Sequence, residues 1–433
     1  MKISEKVVRI GLILMIALSI YFSYVIWLSP AGKTSIKVDE TSSQVMESQN
    51  YRKVSEVFLP LHLTWIHDGS LKETNSENLI SRLQTVVERA RFGRISEVVS
   101  GNPEKFEQTK TIDKGIELTY NAPLLLSEYK DAFHLNFDMS TITKESDTLY
   151  FSRIQFDETK NKVRFINYLE HTIYEASLSI NWSDLEKELK VTGTKWTEMK
   201  AAPSILEAQY DTKNTVKLKK YSYILSQQPY TVFRNAFFQK PDEVKTNDES
   251  SELIFYDRNE TMSIHSKTQV VDFRGENPGE ASNNIFSKSF PYISKLDSSL
   301  GNMRYFDCNE NKINYRIFVE GFPVFGSDSK GQVSIEIRDN SEVSIQTSLN
   351  TIQVPIPSDE EVELPNTENV VQNLVAKGAD KEKIQSIIIG YTWQNIKETN
   401  RVVDLFPEWY VKYQEQWYSV SELLERLSGL EAH

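Results

Sequence analysis

The chain has 433 residues, 39% of them hydrophobic and 11% aromatic, with only 16 glycines and 14 prolines, so it can fill more than one core, and two or three domains are expected. Its 61 acidic against 49 basic residues leave a formal charge of −12, which argues against nucleic acid as a partner. Cys308 is the only cysteine, so neither an internal disulfide nor a thiolate metal cage can form, a composition that suits the outside of a bacterium without dedicated oxidation machinery.

From Ile10 to Leu28 the sequence IGLILMIALSIYFSYVIWL carries no charge. As a helix it is about 28 Å long, close to the hydrocarbon thickness of a bilayer. Lys2, Lys6 and Arg9 precede it against a single Glu5, which predicts a cytoplasmic N-terminus (residues 1–9) and an exported body. Trp27 and Leu28 stand where a signal peptidase would need small residues, so a retained, lipid-embedded anchor at 10–28 is expected. Along it Gly11, Met15, Ser19 and Ser23 share one row at i, i+4 spacing, and the Ser19/Ser23 pair would let a second helix approach closely.

Polar residues 29–50 predict a linker. The pattern beyond it is α+β. Val57–His67 predicts a strand and Asn75–Arg91 a helix with apolar residues at Leu79, Leu83, Val86, Val87 and Ala90. Gly115–Asn121, Ala132–Asp138, Thr148–Phe156 and Lys162–Asn167 predict strands, and Trp182–Leu189 a helix. Two passages of like pattern follow. The first holds a strand at Val216–Leu225, a helix at Val232–Phe238, a meander over Leu253–Phe273 and a helix at Asn283–Leu300. The second holds strands at Lys312–Glu320, Gly331–Arg338 and Glu342–Leu349, a helix at Glu368–Ala376, and strands at Ile384–Trp393 and Trp409–Gln414. These patterns divide the exported part into α+β domains at 51–205, 206–304 and 305–433, the last two of similar topology, a β-meander plus a helix.

Motifs for chemistry are missing. Gly321 to Gly326 has P-loop spacing, but Ser327 and Asp328 stand where Lys and Ser/Thr are required, so a hairpin bend is expected. No nucleophile elbow, HExxH pair, dinucleotide fingerprint or EF-hand loop occurs. His62 and His67 are five apart on one predicted strand and face opposite ways, a poor metal site, and His67-Asp68-Gly69-Ser70 reads as a turn. No catalytic, cofactor or metal residue is assigned. Trp393, Trp409, Tyr410, Tyr413, Trp417 and Tyr418 crowd the last strands; alternation makes most of them core and leaves a minority for an interface.

Taken in order, the anchor, VFLPLHLTWI…NLISRLQTVV, VFRNAFFQKPDEV…LIFYDRNETMSI, YRIFVEGFPVFG, ENVVQNLVAKG and IIIGYTW…VVDLFPEWYVKYQEQWY resemble the YycH family of Gram-positive bacteria over most of the chain. The resemblance implies a three-domain extracytoplasmic protein, not an enzyme, that pairs with a YycI-type protein and modulates a WalK-type sensor kinase. The response regulator of that kinase, WalR, controls cell-wall metabolism. It also implies that the anchor, Ile10 to Leu28, meets the kinase helices in the membrane. A cell-wall glycan-binding module or enzyme is the alternative, to be recognised by aromatic rings lining a groove or by two carboxylates at glycosidase spacing.

Overall fold

Ser76 starts the first long helix, its hydroxyl accepting from the Leu79 amide, and the turns that follow bury Leu79, Ile80, Leu83 and Val87 against a sheet. In the computed structural model, the described residues are 51–430 without 141, 143–147, 202, 204, 206–209, 249–251, 277–283, 297, 310, 339–340, 357 and 397–400, together with Met15 and Ser19. The fold is mixed α+β, as the sequence pattern predicts.

The sheet under that helix has ten strands. Their order is 211–212, 197–200, 70–74, 62–67, 115–125, 150–157, 162–167, 172–179 and 91–92, with 96–99 also on 172–179, all antiparallel. One face packs Tyr129, Phe151 and Phe165 edge to face beneath helices Glu77–Glu88 and Leu126–Ala132. The other face carries a buried polar ladder. Gln155 donates to Glu117 at 2.8 Å and accepts from Arg164 at 2.9 Å, while carbonyls at 109–111 also accept from the Gln155 amide and the Arg164 terminal nitrogens.

Several local expectations shift. Val57–His67 opens as a short helix, Val54–Val57, and the strand is only His62–His67, because Pro60 cannot donate to a ladder. Ala132–Asp138 is not a strand: helix Leu126–Ala132 ends there and only the Arg94–Asp138 bridge remains. The HDGS passage is a tight hairpin turn with Asp68 at φ 49° and Gly69 at φ 72°.

A second sheet of fourteen strands runs from 245–248 at one edge to 350–356 at the other. Its first half is a repeated unit. Helix Tyr230–Phe237 leads into strands 245–248, 252–257, 260–265 and 270–276; helix Ile285–Ser294 leads into 302–308, 312–319, 332–337 and 342–348. The last strands of the two units, 270–276 and 342–348, pair antiparallel over seven residues, so this sheet is continuous across position 304. Its second half is built on the long hairpin 384–395/402–413, which packs with helices Thr367–Ala376 and Val420–Leu430 around Val370, Val371, Leu374, Trp409 and Val411. A separate two-stranded ribbon, 216–219 with 361–364, joins that core through Val216 and Leu364.

Candidate functional site

Where the two sheets meet, buried residues lock one to the other. Arg304, 1% exposed, donates to the Glu77 carboxylate at 2.9 Å and to the carbonyls of Leu59 and Pro60, with its guanidinium over the Phe318 ring. Tyr305 donates to the Pro123 carbonyl at 2.7 Å, and Phe58 sits among Phe286, Phe290, Tyr305 and Tyr315. Gly321 (φ 81°) turns so close to Asn75 that a Cβ there would lie 2.0 Å from the Asn75 carbonyl oxygen.

Beside this junction lies a cleft of about 1440 Å³. It is lined by the ten-stranded sheet at His62, Glu73, Thr119, Arg153 and Asn167, by Gly193–Met199 and Thr215–Lys219, and by Gln385–Ile389 with Trp409 and Lys412. Most of its charges are already matched. Glu73 faces His62 at 3.4 Å and accepts from Thr64; burial works to raise its carboxyl, but His62, Arg153 and Thr64 together hold it below the usual range. Arg153 pairs with buried Glu117 at 2.8 Å and lies 4.8 Å over the Tyr168 ring, whose phenol burial pushes up. Lys412 meets Glu415 at 2.9 Å, and Lys217 meets Glu363 at 3.6 Å. Half-buried Trp196, Tyr210, Tyr221 and Phe322 supply aromatic surface. A cleft so large, neutral and mixed in polarity suits a chain-like ligand with apolar and hydrogen-bonding groups.

Cys308 also borders the cleft, its sulfur 3.1 Å from the Tyr305 hydroxyl oxygen; burial pushes its thiol up to about 11. His62 and His67 diverge as expected: the first turns to Glu73 and Asn75, the second to Asp68 and the face of Trp65. Among the described residues no group of three or more His, Cys, Asp or Glu could hold a metal. Of the terminal aromatics, Trp393, Trp409 and Tyr410 are core, whereas Trp417 and Tyr418 are half-buried.

On the apolar N-terminal row, Met15 and Ser19 are helical and exposed, and Gly11 and Ser23 lie outside the described residues. Among the described residues no helix is long and apolar enough to cross a membrane. The cleft was not expected from sequence: its lining comes from nearly every part of the body, and no local spacing marks it.

The family model for the YycH protein N-terminal domain matches residues 5–193, and that for the YycH protein C-terminal domain matches 207–426. Among solved structures the chain is similar to YycH from Bacillus subtilis, with a TM-score of 0.65 at 16% identity, covering 86% of this chain and 97% of that one. No curated protein matches the sequence.

Proposed function

We propose, from the premise that this chain belongs to the YycH family, that it is a membrane-anchored extracytoplasmic regulator which, with a YycI-type partner, modulates a WalK-type sensor kinase and so WalR-controlled cell-wall metabolism. The observation that carries this reading is the match of both family domains over nearly the whole chain. The uncharged run Ile10–Leu28 behind Lys2, Lys6 and Arg9 supports the anchor and its orientation, with the body from residue 51 onward outside, in domains 51–205, 206–304 and 305–433. Contact with the kinase runs in part through the anchor, on the Gly11, Met15, Ser19 and Ser23 face, where small side chains permit close helix packing.

The test is purification of the full chain from detergent-solubilised membranes together with YycI-type and WalK-type proteins, and a WalR-dependent transcription reporter in cells. Ser19→Leu with Ser23→Leu should change reporter output at unchanged protein level, and Leu18→Phe should not. If neither protein co-purifies and deletion of the chain leaves the reporter unmoved, the regulatory reading fails. If the two substitutions act alike, coupling runs through the body instead.

A further inference from the structure

One side-chain amide joins the two sheets by way of a histidine. Asn75 Nδ2 lies 3.4 Å from the Gly321 carbonyl oxygen and 3.1 Å from His62 Nδ1. A carbonyl oxygen can only accept, so the Asn75 atom facing it is the NH2 group, which has one hydrogen for each of these neighbours. His62 Nδ1 therefore accepts the second hydrogen, and the ring is neutral with its proton on Nε2. The same Nδ1 has a carboxylate beside it. Glu73 Oε1 is 3.4 Å away, while the other oxygen of Glu73 accepts from the Thr64 hydroxyl. Between a bare nitrogen and a carboxylate oxygen there is no hydrogen to share, so the neutral ring leaves this contact unmade.

Protonation exchanges the two contacts. With a hydrogen on Nδ1 the ring donates to Glu73, and its N–H now opposes the Asn75 N–H. The amide has two ways to relieve this: it turns its oxygen to the ring, or it swings aside. In both cases the Gly321 carbonyl loses its donor.

The residues involved are packed where the sheets meet. His62 pairs with Thr119 in the ten-stranded sheet, and Gly321 closes on the Asn75 backbone from the other side. Asn75 runs directly into Ser76, the cap of helix Glu77–Glu88, and Glu77 accepts from Arg304 and Asn302 of the large sheet. A turn of the Asn75 amide is thus felt at the junction itself. The charges set around the ring are Glu73 from strand 70–74, the Arg153–Glu117 pair from strands 150–157 and 115–125, and Glu320 from the bend that carries Gly321. Glu117 is taken up by Arg153 and Gln155, and Arg153 acts on Glu73; Glu73 is the one in contact with Nδ1.

We propose that His62 is a proton-operated latch on the contact between the two sheets: neutral, it holds the Asn75 amide on the Gly321 carbonyl; protonated, it turns to Glu73 and that contact is released. Acidification outside the cell would then loosen the junction without any partner taking part. The inference goes beyond the regulatory reading and needs from it only that the body lies outside.

The test uses the full chain in lipid bilayers. Solid-state NMR with 15N-labelled histidine separates a bare ring nitrogen from a protonated one, and His62→Gln identifies the His62 signal among the six histidines. At about pH 8 that signal should show a bare Nδ1 and a protonated Nε2. Amide exchange, corrected for its intrinsic pH dependence, is then followed over residues 74–80 and 318–324 at about pH 8 and about pH 5.5. Protection there should fall about fivefold on acidification, one hydrogen bond's worth. Asn75→Ala should show the lower protection at both pH values. Should that variant fold poorly, His62→Gln, whose side chain does not charge, takes its place and should show no change with pH. The latch is overturned if Nδ1 carries a hydrogen at about pH 8, if wild-type protection is the same at both pH values, or if either variant keeps the wild-type change. Because no kinase is present, a failure here stays separate from a failure of the regulatory reading.

Discussion

Replacing Arg304 with methionine tests whether the two sheets are held together by a buried guanidinium. Its fork reaches Glu77 at 2.9 Å and the Leu59 carbonyl at 2.8 Å, and also the Pro60 carbonyl. Glu77 keeps some exposure, 28% of its side chain, and can rehydrate, so losing that contact costs little. The two carbonyls are buried, and each loses about 1–3 kcal/mol if it stays dry. Against this, methionine refills much of the volume, and the guanidinium no longer has to be desolvated, a burden that already depresses its pKa. The balance is about 3 kcal/mol of lost stability. At about 2.1 cal/mol/K per residue over roughly 380 folded residues, the unfolding entropy is about 0.8 kcal/mol/K, so the midpoint should fall by about 4 °C. Differential scanning fluorimetry of the full chain in detergent reads this directly. Glu77→Gln, which keeps an acceptor for Arg304, should cost under about 1 kcal/mol. If Glu77→Gln proves as damaging as Arg304→Met, the ion pair and not the carbonyl clamp carries the junction, and the reasoning is wrong.

Other outcomes follow from burial and charge. Leu374 is fully buried under helix 367–376, so Leu374→Asp should cost several kcal/mol and lower the melting midpoint, whereas Val375→Asp on the exposed side should not. Glu73 has a folded pKa below its unfolded value near 4.5, so its contribution is present above that pH and is lost as pH falls through the folded value. The stability gap between wild type and Glu73→Gln, followed by urea unfolding from about pH 6 down to about pH 3, should therefore shrink on acidification; a constant gap would refute the His62–Glu73 account. Cys308, with its thiol pushed up to about 11, should react with iodoacetamide far more slowly in the native chain than in urea. Equal rates in the two states would mean the Cys308 pocket is open.

Much of the fold is legible because individual segments declare their own geometry. Leu79, Leu83 and Val87 at helical spacing need only a dozen neighbouring residues to be read, whereas the alternation expected through Trp409–Tyr413 gives way to three buried residues in a row, Trp409, Tyr410 and Val411. The misreadings sit where a local signal is outvoted. Leu126–Ala132 becomes helical because the strand before it has run out of partners, its Leu125 pairing with Tyr150 at the sheet's end, and Ala132 and Phe133 fill the core from there. The strand Asn302–Cys308 carries the position where the last two expected domains meet; its Met303, Tyr305 and Phe306 are buried and it pairs along 312–319. Strand pairing across such distances leaves no local trace.

The cleft was illegible for a stronger reason: its lining is assembled from segments far apart in the chain. Lys217 and Ile387 are ordinary strand residues in sequence, one in V-K-L-K and one in an isoleucine run, and neither stands out by charge, spacing or type. They come together only once the strands have folded, when both line one cavity. An edge left bare on a sheet is a hazard, since it offers a template to any extended chain, and proteins ordinarily blunt it with proline, charge or a covering loop. Here the outer edge of the large sheet follows that practice, with Pro355 on its terminal strand.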